Sequence, residues 1–269
     1  MGQNKMTKIK DVIINAFSCS QQAPCNKWVS EFFTDAPLTI NVPSVAFRQK
    51  AIEWAKTGDL FKAAVKENFK EDIEIRRRGM TTFSLGWSFA DELLKFPNEI
   101  DKLDAYLLLD GCHTKQLNNW FCFAKRAAEG KAFFVMAHSS IVPPYISSTE
   151  SNSKIFDSID GAAISPCIEV PDYILKATLP PDGIAISLAK SNGTPAVSKH
   201  WAQDPLIGFE SAGNMTKLHY GGNDRPDHVY IAWYVSKRLW QWFGTMWSIS
   251  ECITDMEKET ESSSEETVK

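Results

Sequence analysis

The stretch MTTFSLGWSFADELLKF, Met80 to Phe96, changes character part-way along. It opens as a run fit for a buried strand (Thr81, Thr82, Phe83, Ser84, Leu85). It continues with apolar residues at helical spacing (Phe89, Ala90, Leu93, Leu94), and Gly-Trp-Ser stands between the two. This reading puts Ser88 at the break, with Gly86 two residues before it and Ala90 two residues after. A residue between a buried strand and the next helix lies at the carboxyl edge of a parallel sheet, where open α/β folds place their ligands. Small residues on either side let a sharp turn pack against neighbouring backbone and hold a serine hydroxyl outward.

Working outward, Lys10 to Phe17 and Pro37 to Val42 read as short strands, followed by a helical stretch from about Arg48 to Phe69. After the opening stretch, DAYLLL (104–109) is an almost continuous apolar run, as suits a strand covered on both faces. Asn118 to Glu129 sets Phe121, Ala124 and Ala128 on one helical stripe, and KAFFVMA (131–137) is a second buried strand. Strands alternating with helices at this spacing predict right-handed crossovers and a mostly parallel sheet flanked by helices. Residues 145–214, rich in Ser, Pro, Asp and Gly, read as a lid-like or irregular excursion before the last strand at Lys217 to Tyr220. From His228 to Phe243 a tryptophan-rich amphipathic helix is expected, with Val229, Ala232, Ser236, Trp240 and Phe243 covering the sheet. One domain over 1–250 and a disordered acidic tail over 251–269 complete the expected organisation.

The chain has 269 residues, 43% of them hydrophobic, enough to bury the core of one large α/β domain. Its formal charge of −4 is concentrated in residues 251–269, whose seven acidic residues and two lysines leave the other 250 residues at +1. A nearly neutral body carries no electrostatic footprint for nucleic acid, and Arg76-Arg77-Arg78 reads as a solvated turn. The six cysteines contain no C-x-x-C pair and suit reduced thiols. The N-terminus MGQNKMTKIK lacks an apolar signal core, and no window reaches the roughly 18 apolar residues of a membrane span, so a soluble cytoplasmic protein is expected.

The segment Gly86-Trp87-Ser88-Phe89-Ala90, set between strand and helix, resembles the nucleophile elbow of the α/β-hydrolase superfamily, with alanine where glycine is more usual. The resemblance implies that Ser88 is the nucleophile and that the amide of Phe89 is one oxyanion donor. It also implies an acid after a later strand and a histidine after the last one. His228, in NDRPDHVYIAW, fits the histidine loop, whereas His219 in TKLHY reads as a strand residue. Asp110, directly after the apolar run, fits the acid, and Glu150 is the alternative. The second oxyanion amide is placed at Val45 in Pro43-Ser44-Val45-Ala46, and Trp87, His113, His138 and Ser139 are expected to shape the pocket.

The implied reaction is hydrolysis of a carboxylic ester through an acyl-enzyme, with neither metal nor organic cofactor, on a small-molecule, glycan or lipid ester. Two other classes compete. One is a non-catalytic interaction module of the same fold. The other is a metal-dependent hydrolase drawing ligands from Asp110, His113, His138, Asp224, Asp227 and His228. Ordinary structural roles compete as well: Ser88 as a helix cap, Asp110-Gly111 as a turn pair, and His228 as a helix-opening residue.

Overall fold

The computed structural model describes residues 8–18, 31–33, 35–140, 146–175, 206–221, 228, 231 and 235–246. Seven strands form one sheet: β1 (Lys8–Phe17), β2 (Leu38–Asn41), β3 (Ile73–Phe83), β4 (Ala105–Leu109), β5 (Phe133–His138), β6 (Leu206–Ala212) and β7 (Met215–Tyr220). Their order across the sheet is β2-β1-β3-β4-β5-β7-β6. Every neighbouring pair is parallel except β6 and β7, which are antiparallel. The protein is thus an α/β protein with a mixed, mostly parallel sheet. β6 lies inside the stretch expected to be an irregular excursion.

Helices flank the sheet: α1 (Phe47–Ala55), α2 (Leu60–Asn68), α3 (Trp87–Leu93), α4 (Pro97–Lys102), α5 (Asn118–Ala128), α6 (Ser148–Asp157) and α7 (Asp172–Leu175), then the helical residues 235–246. The expected helix over 48–69 is two helices. Gly58, at φ 87°, turns the chain between them, and Asp59 caps α2 by accepting from the amide of Lys62.

Two apolar layers explain why β4 and β5 read as continuous hydrophobic runs. Met80, Tyr106, Leu108, Phe134 and Met136 pack on one side with α1, α2, α3 and α5. Phe83, Leu107, Leu109, Val135, Ala137 and Leu218 pack on the other with Val235, Leu239, Trp240 and Phe243. The C-terminal stripe is buried at Ser236, Trp240 and Phe243, while Val229 and Ala232 lie outside the described residues. The tail 251–269 and all of 176–205 also lie outside them.

Arg76, Arg77 and Arg78 are not a solvated turn; they belong to β3. Arg76 and Arg77 both pair with the buried carboxylate of Asp11 on the adjacent β1, at 2.9 and 2.6 Å, and Arg78 pairs with Asp59 at 3.3 Å. The chain uses these cations internally, against a carboxylate that could not stay charged there alone. Among the described residues, no helix is long and apolar enough to cross a membrane.

The turn after β3 is shaped by close approach to β1. A Cβ built on Gly86 would lie 1.7 Å from the carbonyl oxygen of Ala16. Backbone cannot yield as a side chain can, so Gly86→Ala is expected to cost on the order of 3 kcal/mol or more. Gly208→Ala on β6, where an added Cβ meets nothing within 4 Å, is the control. Urea denaturation of both variants checks this, and a Gly86→Ala loss no larger than that of Gly208→Ala would refute it.

Candidate active site

The strand registers line up a row of residues along the carboxyl edge. Phe83, Leu109, Ala137 and Leu218 are successive cross-strand partners on β3, β4, β5 and β7. The next residue on each strand is Ser84, Asp110, His138 and His219. Asp110 and His138 are among the expected site residues, Ser84 and His219 are not, and Ser88 does not fall in this row.

β3 ends at Phe83, a short 3-10 turn spans Ser84–Gly86, and α3 already begins at Trp87. The break therefore falls at Ser84, not at Ser88, which is the second residue of α3 and is buried at 3% exposure. Ser84 has φ 52°, in the left-handed region that a non-glycine residue occupies at a cost. The only other non-glycine residues of positive φ among those described are Asp110 (39°) and Cys112 (69°), just after β4. Backbone strain is thus gathered where β3 and β4 end. The two turns touch: a Cβ on Gly111 would stand 3.0 Å from the carbonyl oxygen of Ser84.

In Thr82-Phe83-Ser84-Leu85-Gly86 a glycine also occupies the fifth position of the elbow frame, but threonine stands where its first glycine would. Leu85, at the end of the apolar run, is exposed in the fold.

Asp110 is 1% exposed, and its carboxylate is held by three donors. Ser139 N–H donates to Oδ1 at 3.0 Å, the Ser139 hydroxyl to Oδ2 at 2.5 Å, and His228 Nδ1 to Oδ2 at 2.8 Å. Burial works against the charge, but the hydrogen bond from His228 and the attraction of its charge, together with the two hydrogen bonds from Ser139, outweigh it and hold the carboxyl below its ordinary range. An ionised carboxylate only accepts, so Nδ1 of His228 carries the hydrogen and Nε2 of the neutral ring is left as an acceptor. The His228 ring also lies 4.5 Å, centroid to centroid, from that of Phe83, the residue before Ser84. One imidazole is therefore fixed from two sides, by the acid after β4 and by the last side chain of β3. No protein-family model and no curated protein matches the chain.

The remaining expected site residues fall as follows. Glu150 is on the exposed side of α6, paired with Lys154 at 2.7 Å, and does not meet His228. Val45 lies in the turn after β2, with its side chain 94% exposed. β2 is the edge strand and β1 stands between it and β3, so this turn is two strands from Ser84. Phe89 is buried inside α3. Trp87 is buried, with its ring in edge contact with His113 at 6.4 Å and the Arg48 guanidinium 6.0 Å above it.

His113 Nδ1 meets the carbonyl oxygen of Ile146 at 3.1 Å, and burial lowers its pKa. Among the described residues no group of three or more His, Cys, Asp or Glu converges to hold a metal; Asp224 and Asp227 lie outside them.

His219 was read as a bystander, yet it joins this edge. Its ring stacks on His138 at 4.6 Å, and its Nε2 meets the Ser140 hydroxyl at 2.9 Å. His138 is 1% exposed and faces Asn152 of α6 at 3.2 Å. Burial, followed by the proximity of His219, pushes its pKa down to about 3.

Proposed function

We propose that the protein is a serine hydrolase of α/β-hydrolase type acting on carboxylic esters, with Ser84 as nucleophile, His228 as general base and acid, and Asp110 as the carboxylate that orients His228. The observation that carries this reading is the position of the His228 ring, bonded to Asp110 at 2.8 Å and packed 4.5 Å from Phe83, beside the strained turn of Ser84. The order along the chain also supports it, with the serine after a central strand, the acid after its neighbour, and the histidine after the last strand.

The chemistry follows from these parts. Nε2 of neutral His228 takes the Ser84 proton as Oγ attacks the acyl carbon, and Asp110 stabilises the imidazolium that forms. His228 then delivers that proton to the leaving alcohol, leaving an acyl ester on Ser84. Water, deprotonated by the same nitrogen, releases the acid and restores the serine. The amide of Leu85, directly after Ser84, is the nearest main-chain donor along the chain for the developing oxyanion. The left-handed backbone at Ser84 is the conformation that lifts a side chain out of a strand-to-helix turn, which is why the strain belongs at the nucleophile.

Labelling with a fluorophosphonate, which reacts with activated serines, tests the assignment. Wild type and Ser88→Ala are expected to label, and Ser84→Ala to remain unlabelled. A wild-type protein that stays unlabelled at pH 8 would sink the hydrolase reading. Labelling lost in Ser88→Ala and kept in Ser84→Ala would return the nucleophile to the helix.

A further inference from the structure

We infer that Ser139 is a positioning residue of this site, holding the Asp110 carboxylate in one rotamer so that a single oxygen, Oδ2, faces His228. The inference rests on the hydrolase reading for its importance and on geometry for its content. Ser139 is the first residue beyond β5 and is fully buried, and it grips both oxygens of Asp110: its amide at Oδ1 (3.0 Å) and its hydroxyl at Oδ2 (2.5 Å). Its own carbonyl accepts from Thr149 of α6 at 3.1 Å, so the grip is anchored to a helix as well as to the sheet. The Asp110 amide in turn donates to the carbonyl of Ala137 at 2.7 Å, tying the acid to the same strand from its backbone.

Such an arrangement solves a specific problem. A buried carboxylate with one donor can rotate about its terminal bond and is inclined to take up a proton. Two donors from one residue fix the plane of the group and favour its ionised form. His228 meets Oδ2 together with the Ser139 hydroxyl, so the serine sets the direction in which the imidazole is aimed. An imidazole turned by a fraction of an ångström loses alignment with the nucleophile, where rate is highly sensitive to placement. The other titratable groups facing the pair are His113 after β4, His138 at the end of β5 and His219 on β7; all three are held below the ordinary histidine range, chiefly by burial.

The test compares Ser139→Ala, which removes the hydroxyl and leaves the amide, with Ser139→Thr, which keeps both donors. Turnover of short-chain nitrophenyl esters is expected to fall about 10- to 100-fold in kcat for Ser139→Ala, with KM little changed and near-complete recovery in Ser139→Thr. The second readout needs no substrate: the His228 Nδ1 proton at low field in the proton NMR spectrum, assigned by its loss in Asp110→Asn. In Ser139→Ala this resonance is expected to shift and to exchange faster with water, and in Ser139→Thr to return toward the wild-type position.

An unchanged resonance and unchanged kcat in Ser139→Ala would overturn the inference. So would a Ser139→Thr variant, folded by circular dichroism, that behaves like the alanine. A protein that hydrolyses no ester but shows the expected spectral changes would remove the hydrolase reading and leave the positioning of His228 by Ser139 intact.

Discussion

Replacing Ser84 by alanine is expected to lower kcat/KM for short-chain nitrophenyl esters by about 10⁴-fold or more, while Ser88→Ala changes it by less than about threefold. Loss of a triad nucleophile removes the covalent route altogether, and the residue of catalysis over water then comes from oxyanion binding and substrate placement. A 10⁴-fold loss is about 5.4 kcal/mol of transition-state stabilisation, far beyond what repacking a buried serine costs an otherwise folded enzyme. The comparison within a single five-residue segment is informative because both serines sit beside the same turn. Equal losses in the two variants, with folding intact, would show that neither hydroxyl acts alone and would remove the argument from backbone strain. Ser84 adopts its positive φ with an L side chain present, so alanine tolerates the turn as serine does and the variant is expected to fold.

The second large effect is on stability in acid. His138 is neutral in the folded protein down to about pH 3, whereas in the unfolded chain it takes up a proton near its ordinary value of about 6.5. The unfolded state therefore binds more protons between these two values. The contribution of His138 is fully present above pH 6.5, declines as pH falls through that window, and levels off only below about pH 3. About 3.5 pH units at roughly 1.36 kcal/mol each gives a loss of about 4 to 5 kcal/mol over the window, a large share of the stability of a typical domain. His138→Gln keeps an acceptor for Asn152 and cannot be protonated, so its stability curve is expected to be flatter by most of that amount. Urea denaturation of both proteins between pH 7 and pH 3.5 measures the difference. Parallel curves would mean that His138 is protonated in the native state, with its charge accommodated beside His219 and Asp110.

The two effects meet at the same sheet edge, for opposite physical reasons. Asp110 is buried and kept charged because three hydrogen bonds from His228 and Ser139 reach it, and His138 is kept neutral because burial and the neighbouring His219 outweigh the pull of Asp110 on a cation. The chain thus holds an acid and a base of contrasting environment at the carboxyl ends of two adjacent strands, an arrangement that separates titrating groups into distinct roles.

Periodicity and composition alone determined the broad architecture. The runs at 104–109 and 131–137 were legible as buried strands because a parallel sheet covered on both faces leaves no polar face to interrupt them. The resemblance had paired Asp110, where an apolar run gives way to a polar turn, with His228, where a polar loop gives way to a helix, and the two side chains do meet. The break at Ser84 was not legible, because Thr82, Phe83, Ser84 and Leu85 differ little in strand preference. What ends β3 there is the approach of Gly86 to the carbonyl of Ala16, a contact between residues 70 positions apart. Sequence spacing could not reveal which strand would be Gly86's neighbour, and so placed the turn at the next serine. The same limit hid His219, whose place beside His138 depends on β5 and β7 being adjacent, and misread Arg76 and Arg77, which meet Asp11 only because β1 pairs with β3. Local pattern records what a residue prefers to be, while the partners that decide what it can do are chosen by strand order, which only the folded chain sets.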